Sequence, residues 1–203
     1  MTKGKKRTIM VSSTVYGIEE LLERIYAILT VYGYEVWMSH KGTVPVFSKR
    51  SAFENCIHAV ENCDLFMGII TPSYGSGEDE KDGLSITHRE LKKALELNKL
   101  RWLLSHDHVV FARRFLMNLG ADTPEKRQSL GYKPSLVFGD LKVIDMYEEA
   151  ILSQKPLRDR KGNWVQKFEK DEEALLFTSA QFSRFQEVEA FINENLTGKG
   201  GSK

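Results

Sequence analysis

At 203 residues, 41% hydrophobic and 28% charged, the chain has the composition of a folded globular protein, of one domain with an appendage or with a small second domain, not of a disordered one. Its 29 Lys and Arg nearly cancel its 28 Asp and Glu. No overall basic field is available to hold phosphates, so a nucleic acid is not an expected partner. No apolar run approaches the roughly 20 residues that span a bilayer, and the N-terminus has the charge of a signal peptide without its apolar core. The expectation is a cytoplasmic protein with no membrane partner.

Residues 8–11 read as a short apolar strand behind a basic tail at 1–6, expected to be mobile. Ser12, Ser13 and Thr14 then turn the chain into a helix over 18–32, where Leu21, Leu22, Ile25, Ile28 and Leu29 keep helical spacing and Gly33 supplies a stop. Residues 34–38 resemble a second strand. After a loop with Gly42 and Pro45, Ser51 and Glu54 have the spacing of a capping box for a helix over 51–61. The run 65–70 is apolar almost throughout, as a strand buried on both faces of a parallel sheet requires. Helices over 86–98 and 108–119 flank a fourth strand at 102–104, with Asp107 as the expected N-cap of the second helix. This alternation of strand and helix predicts βαβ units wound into a parallel α/β sheet with helices on both sides.

From about residue 121 the rhythm changes. Pro124, Gly131, Pro134 and Gly139 interrupt the chain, 143–153 reads as a helix, and 156–164 is polar and turn-rich. Residues 172–195 read as helical, burying Leu175, Leu176, Phe182, Phe185, Val188 and Ile192. The expected division is an α/β domain at 7–120, a mainly helical extension packed on it at 121–197, and a second mobile tail at 198–203.

Glu90 is the candidate catalytic residue. It shares a helical row with Ile86, Ala94 and Leu97 beside the apolar face, on the helix after a glycine-rich loop. Ligands of parallel sheets sit beyond the carboxyl ends of the strands, where this carboxylate falls. The positive end of the helix dipole should keep it ionised, as a nucleophile must be. Thr87 and Glu90 also have capping-box spacing, which leaves a purely structural role open. Ser12, Ser13, Thr14 and Tyr16 form a second candidate, able to offer amides and hydroxyls to a phosphate or ribose, although such residues are also standard helix caps. Neither a Gly-x-Gly-x-x-Gly nor a Walker pattern occurs there. Tyr74, Gly75, Ser76 and Gly77 form a third: glycines admit close approach of a ligand, and Tyr74 has a ring for stacking on a base, although a surface turn with a satellite aromatic reads equally well. Asp64, at the amino end of its strand, reads as structural. Cys56 and Cys63 fit neither a redox nor a zinc motif and are expected as buried, reduced thiols. His106 and His108 lack a recognisable third ligand, so no metal is expected.

Three stretches together resemble a known family. They are the run 11–14 (Val-Ser-Ser-Thr), the run 64–68 (Asp-Leu-Phe-Met-Gly) ahead of Tyr74-Gly-Ser, and the run 85–91 (Ser-Ile-Thr-His-Arg-Glu-Leu). They are similar to a domain of unassigned function found at the N-terminus of many STAND-type signalling ATPases. That domain is itself similar to TIR domains and nucleoside 2-deoxyribosyltransferases. The resemblance covers roughly residues 7–120 and implies a flavodoxin-like sheet with a nucleotide-sized cleft. It implies Glu90 as the carboxylate acting at C1′ of a ribose, with Ser12, Ser13, Thr14, Tyr16 and Tyr74 along the cleft. The activity implied is N-glycosidic cleavage of NAD or a related nucleotide in bacterial signalling or antiphage defence, with no resident cofactor. The implied partners are that nucleotide and a second copy of the chain or a signalling protein. The Asp-x-Gly-Thr-x-x-Glu pattern of the deoxyribosyltransferases is missing, which makes transfer between bases the weaker expectation. The alternative is a non-catalytic module that senses a nucleotide or docks a protein through the same cleft.

Overall fold

The computed structural model describes residues 6–75, 83–184 and 187–188. Strands β1 (Thr8–Ser13), β2 (Glu35–Met38), β3 (Leu65–Ile70), β4 (Leu100–His106) and β5 (Asn163–Phe168) form one sheet in the order β2-β1-β3-β4-β5. Every pairing is parallel. Seven helices flank it among the described residues: α1 (Glu19–Val31), α2 (Ala52–Asn62), α3 (Ile86–Glu96), α4 (Asp107–Asn118), α5 (Pro124–Ser129), α6 (Lys142–Ala150) and α7 (Asp171–Phe182). This is an α/β, flavodoxin-like arrangement, as expected.

Strand side chains alternate, and each face meets its own helices. Ile9, Val11, Leu65, Met67, Ile69, Trp102 and Leu104 pack with α1 and α7. Met10, Phe66, Ile70 and Leu103 pack with α2, α3 and α6. All six residues of β3 are buried, which accounts for its unbroken apolar run. At Gly68 a side chain would meet Leu103 Cδ2 of the paired strand β4 at 2.7 Å, so the glycine leaves room for that buried leucine. The expected capping box opens α2: Ser51 Oγ accepts from the Glu54 amide, and the Glu54 carboxylate accepts from the Ser51 amide at 2.7 Å.

The structure departs from the sequence expectation in three places. A fifth strand, β5, joins the sheet from the end of the stretch expected as turns and from residues 165–168, for which no element was expected. It is an edge strand with Trp164 and Gln166 exposed and Phe168 buried, so it shows neither an apolar run nor a clear alternation. The N-cap of α4 is His106, whose Nδ1 accepts the His108 amide at 3.2 Å, while Asp107 begins the helix and pairs with Lys167 at 3.3 Å. Leu176 is exposed, whereas Leu175, Phe182 and Val188 are buried as expected. Asp64 does serve the structure, accepting from the Thr8 amide at 2.8 Å and the Thr8 hydroxyl at 3.1 Å. Phe185, Ile192, Ser76, Gly77 and the expected tails apart from Lys6 lie outside the described residues.

Candidate functional site

In the order β2-β1-β3-β4-β5 the chain reverses direction across the sheet between β1 and β3, and such a switch point opens a crevice at the carboxyl ends of the strands. A cavity of about 480 Å³ lies there, within the range that takes small ligands. One wall is the end of β1 and the loop after it, residues 11–16. Leu22 of α1, Met38 at the end of β2, Ser39 and His40 after it, Ala52 and Cys56 of α2, and Gly75, Ile86, Thr87 and Glu90 complete it.

Glu90 does not cap its helix. The N-cap of α3 is Ser85, whose hydroxyl accepts the His88 amide at 3.3 Å. Glu90 lies beyond the first turn and reaches across to β1, where the Ser12 hydroxyl donates to its Oε2 at 2.5 Å. The carboxyl is 3% exposed, and burial pushes it up to about 7, against hydrogen bonds from Ser12 and Cys56 that favour the charged form. The expectation of a dipole-stabilised, fully ionised carboxylate is thereby corrected: desolvation outweighs the distant helix end. Near neutral pH the group exchanges a proton, the property of an acid–base or electrostatic catalyst.

Cys56 was expected only as a buried thiol. It is half-buried and lines the cavity, and its thiol is pushed up to about 11, first by burial and then by the Glu90 charge. It is a neutral donor to Glu90 rather than a thiolate nucleophile. The available signal was its place one turn into the helix after β2, at the carboxyl edge of the sheet. Cys63 is buried and free, as expected.

Ser12, Ser13, Thr14, Tyr16 and Gly75 all line the cavity with Glu90. None of the hydroxyl residues caps α1, which starts after Ile18 with no side-chain cap. Ser13 Oγ instead donates to the Thr14 and Ile69 carbonyls at 2.9 and 3.2 Å. Tyr16 is 71% exposed at the rim. Gly75 has φ +95°, and a Cβ there would sit 2.9 Å from Thr14 Oγ1, so glycine lets the two loops close on each other.

Tyr74 is placed differently. It is buried and does not line the cavity. Its oxygen accepts the Ser85 amide at 3.4 Å, and the hydroxyl lies 2.7 Å from His88 Nδ1. With Tyr74 as donor, His88 carries its proton on Nε2, which faces Glu149 of α6 at 3.3 Å. Close by, Arg127 of α5 is buried and bonds to Asp145 at 2.5 Å and Glu148 at 2.8 Å. The His88–Glu149 contact ties α6 to α3, the helix that carries Glu90, and the Arg127 pairs tie α6 to α5.

A cluster of His106, Asp107 and His108 has metal-ligand groups within 4.8 Å of one another. Its chemistry opposes a metal. His106 Nδ1 is spent as a helix cap, which leaves the proton on Nε2, and Asp107 is held by Lys167.

Residues 8–128 match the model of a family described as a domain of unknown function, DUF4062. The chain belongs to this family. The DUF4062 match takes in β1 to β4 and most of α5, and so includes Glu90, Cys56 and the whole cavity wall. It stops short of α6, β5 and α7, although β5 completes the sheet and Glu149 reaches His88. A comparison with curated proteins gives no match.

Proposed function

We propose that this DUF4062 protein binds a ribosyl compound in the cavity between β1 and β3 and cleaves its N-glycosidic bond, with NAD or a related nucleotide as substrate and Glu90 as the catalytic carboxylate. The observation that carries this reading is a buried carboxyl at the cavity wall, held from the side by Ser12. The resemblance to TIR-like and deoxyribosyltransferase-like domains supports it, and suggests a role in bacterial signalling or defence.

The chemistry follows from charge. The C1′–N bond breaks and its electron pair leaves with the base, and from NAD the nicotinamide departs neutral and needs no proton. The sugar becomes an oxocarbenium-like cation, which a nearby carboxylate stabilises more strongly inside a water-poor cavity than in solvent. Water then bonds to C1′ and loses a proton to Glu90 or to solvent. Ser12 and Cys56 fix the direction of the carboxylate. Tyr16, exposed at the rim, has a free face for the departing base.

The test is to incubate purified protein with NAD and with nucleosides and assay nicotinamide or free base. Loss of about 10²-fold or more in Glu90→Gln, with no loss of melting temperature, is the expected result. Equal turnover by both proteins would remove Glu90 from the chemistry. No turnover by the intact chain, together with saturable nucleotide binding, would establish the sensing module instead.

A further inference from the structure

We infer that two copies of the chain pair along the open edge of β5, antiparallel and related by a two-fold axis, so that their sheets run on as one. The inference is independent of the ribosyl reading, since the cavity between β1 and β3 lies away from this edge.

The strand is built to accept a neighbour. Among the described residues β5 pairs with β4 alone. The Arg101 amide donates to the Gly162 carbonyl at 2.9 Å, so the alternation along β5 turns the amides and carbonyls of Asn163 and Val165 outward. Such an edge is a template for another strand. Trp164 stands 58% exposed on it. Lys167, the edge's own charge, is already held by Asp107 at 3.3 Å.

The helix beside this edge carries an uncovered apolar stripe. On its face of the sheet α4 packs between α6 and β5. Arg113 marks the α6 flank, where it pairs with Glu148 at 3.0 Å. Phe115 stands about 200° round the helix from Arg113 and so points away from α6, to the side where β5 ends the sheet. Phe111, 67% exposed, stacks on Phe115 with ring centroids 6.1 Å apart, and exposed Leu119 continues the row. A two-fold axis at the middle of β5 lays the α4 helices of two copies side by side, stripe against stripe. Exposed aromatic clusters of this kind mark protein interfaces.

Charge selects a second copy as the occupant. Residues 155–161, ahead of β5, hold four cations and one acid, whereas residues 169–173, behind it, hold four acids and one lysine. A six-residue strand separates the two groups by roughly 20 Å, beyond the reach of screened charges in salt, so one chain cannot neutralise them against each other. An antiparallel copy brings its acidic end to this basic end and its basic end to this acidic end. A parallel neighbour of the same sequence would set like charge against like.

Sedimentation velocity of the full chain, from about 1 μM to about 500 μM, reads the association. The parent is expected to form a dimer within that range. Arg158→Glu/Lys161→Glu makes both ends acidic, and Glu169→Lys/Glu172→Lys makes both ends basic. Each variant alone should dimerise about tenfold more weakly or worse, and an equimolar mixture of the two should recover to within about threefold of the parent. That recovery should fade as NaCl rises. Phe115→Asp, at an exposed position, should also weaken the dimer while leaving the far-UV circular dichroism unchanged. A parent that stays monomeric throughout would leave the face to a different protein and overturn the inference. Dimers that every variant retains would put the interface elsewhere and overturn it as well. Weakening in the charge variants without recovery in their mixture would overturn the antiparallel pairing.

Discussion

Glu90 stands at the junction of two demands, one from folding and one from chemistry. Its folded carboxyl is raised to about 7 from an ordinary 4.5, so between those values the folded chain holds a proton that the unfolded chain has lost. Stability is therefore greatest below about pH 4.5 as far as this group is concerned, falls as pH rises, and levels off above about 7. The ceiling of the effect is on the order of 3 kcal/mol. In Glu90→Gln this contribution vanishes, and the variant should melt higher than the parent at pH 8 but not at pH 5. Thermal melts at the two values check it, and equal shifts at both would contradict a raised carboxyl. If ionised Glu90 stabilises the transition state, kcat/KM rises with pH through about 7. The same residue then costs stability in the form in which it works.

At the scale of elements, two loops and two helices position the carboxylate. Gly75 joins β3 to the α3 side of the cavity with a backbone that L side chains rarely adopt. Gly75→Ala should cost roughly 1–3 kcal/mol in urea unfolding, from the positive φ and from the contact with Thr14. An unchanged midpoint would show that the two loops do not need to close. Arg127→Met leaves Asp145 without its partner, whereas Glu148 keeps Arg113 at 3.0 Å. A loss of about 3 kcal/mol is expected, with much of it recovered in the double variant Arg127→Met/Asp145→Asn. How legible each element is in the sequence tracks what it buries. β3 buries both faces, so its apolar run announces it, and Ser51 and Glu54 announce α2 because a cap is a local contact. β5 buries little and pairs on one side, so only its neighbour β4 reveals it. Tyr74 shows the other limit: an aromatic after a strand faces a ligand or the core depending on whether a distant helix supplies His88 with an acid.

Across the whole molecule, the candidate site joins residues far apart in the chain. The bond from Ser12 to Glu90 spans 78 positions, which no pattern or capping rule could reveal; resemblance singled out both residues, and geometry explains why they meet. Cys56 was missed for the same reason, since its role exists only where α2 passes α3. The family match ends at residue 128, yet the sheet and both cores draw on residues beyond it. A chain cut after Gln128 would uncover Trp102 and Leu104 by removing β5 and α7, and it should lose cooperative unfolding when followed by circular dichroism. A cooperative transition in the truncated chain would make residues 8–128 a domain in their own right.

The late arrival of β5 also sets an order of events during synthesis. The guanidinium of Arg101 in β4 is buried in the finished protein and donates to Asn163 Oδ1 at 2.8 Å, across 62 positions of sequence. As a ribosome extends the chain from its N-terminus, β1 to β4 emerge long before Asn163 exists, with an arginine on the open edge. A charge at an exposed strand edge discourages another nascent chain from adding to it. The residue that later clamps β5 in place thus first serves as that edge's guard.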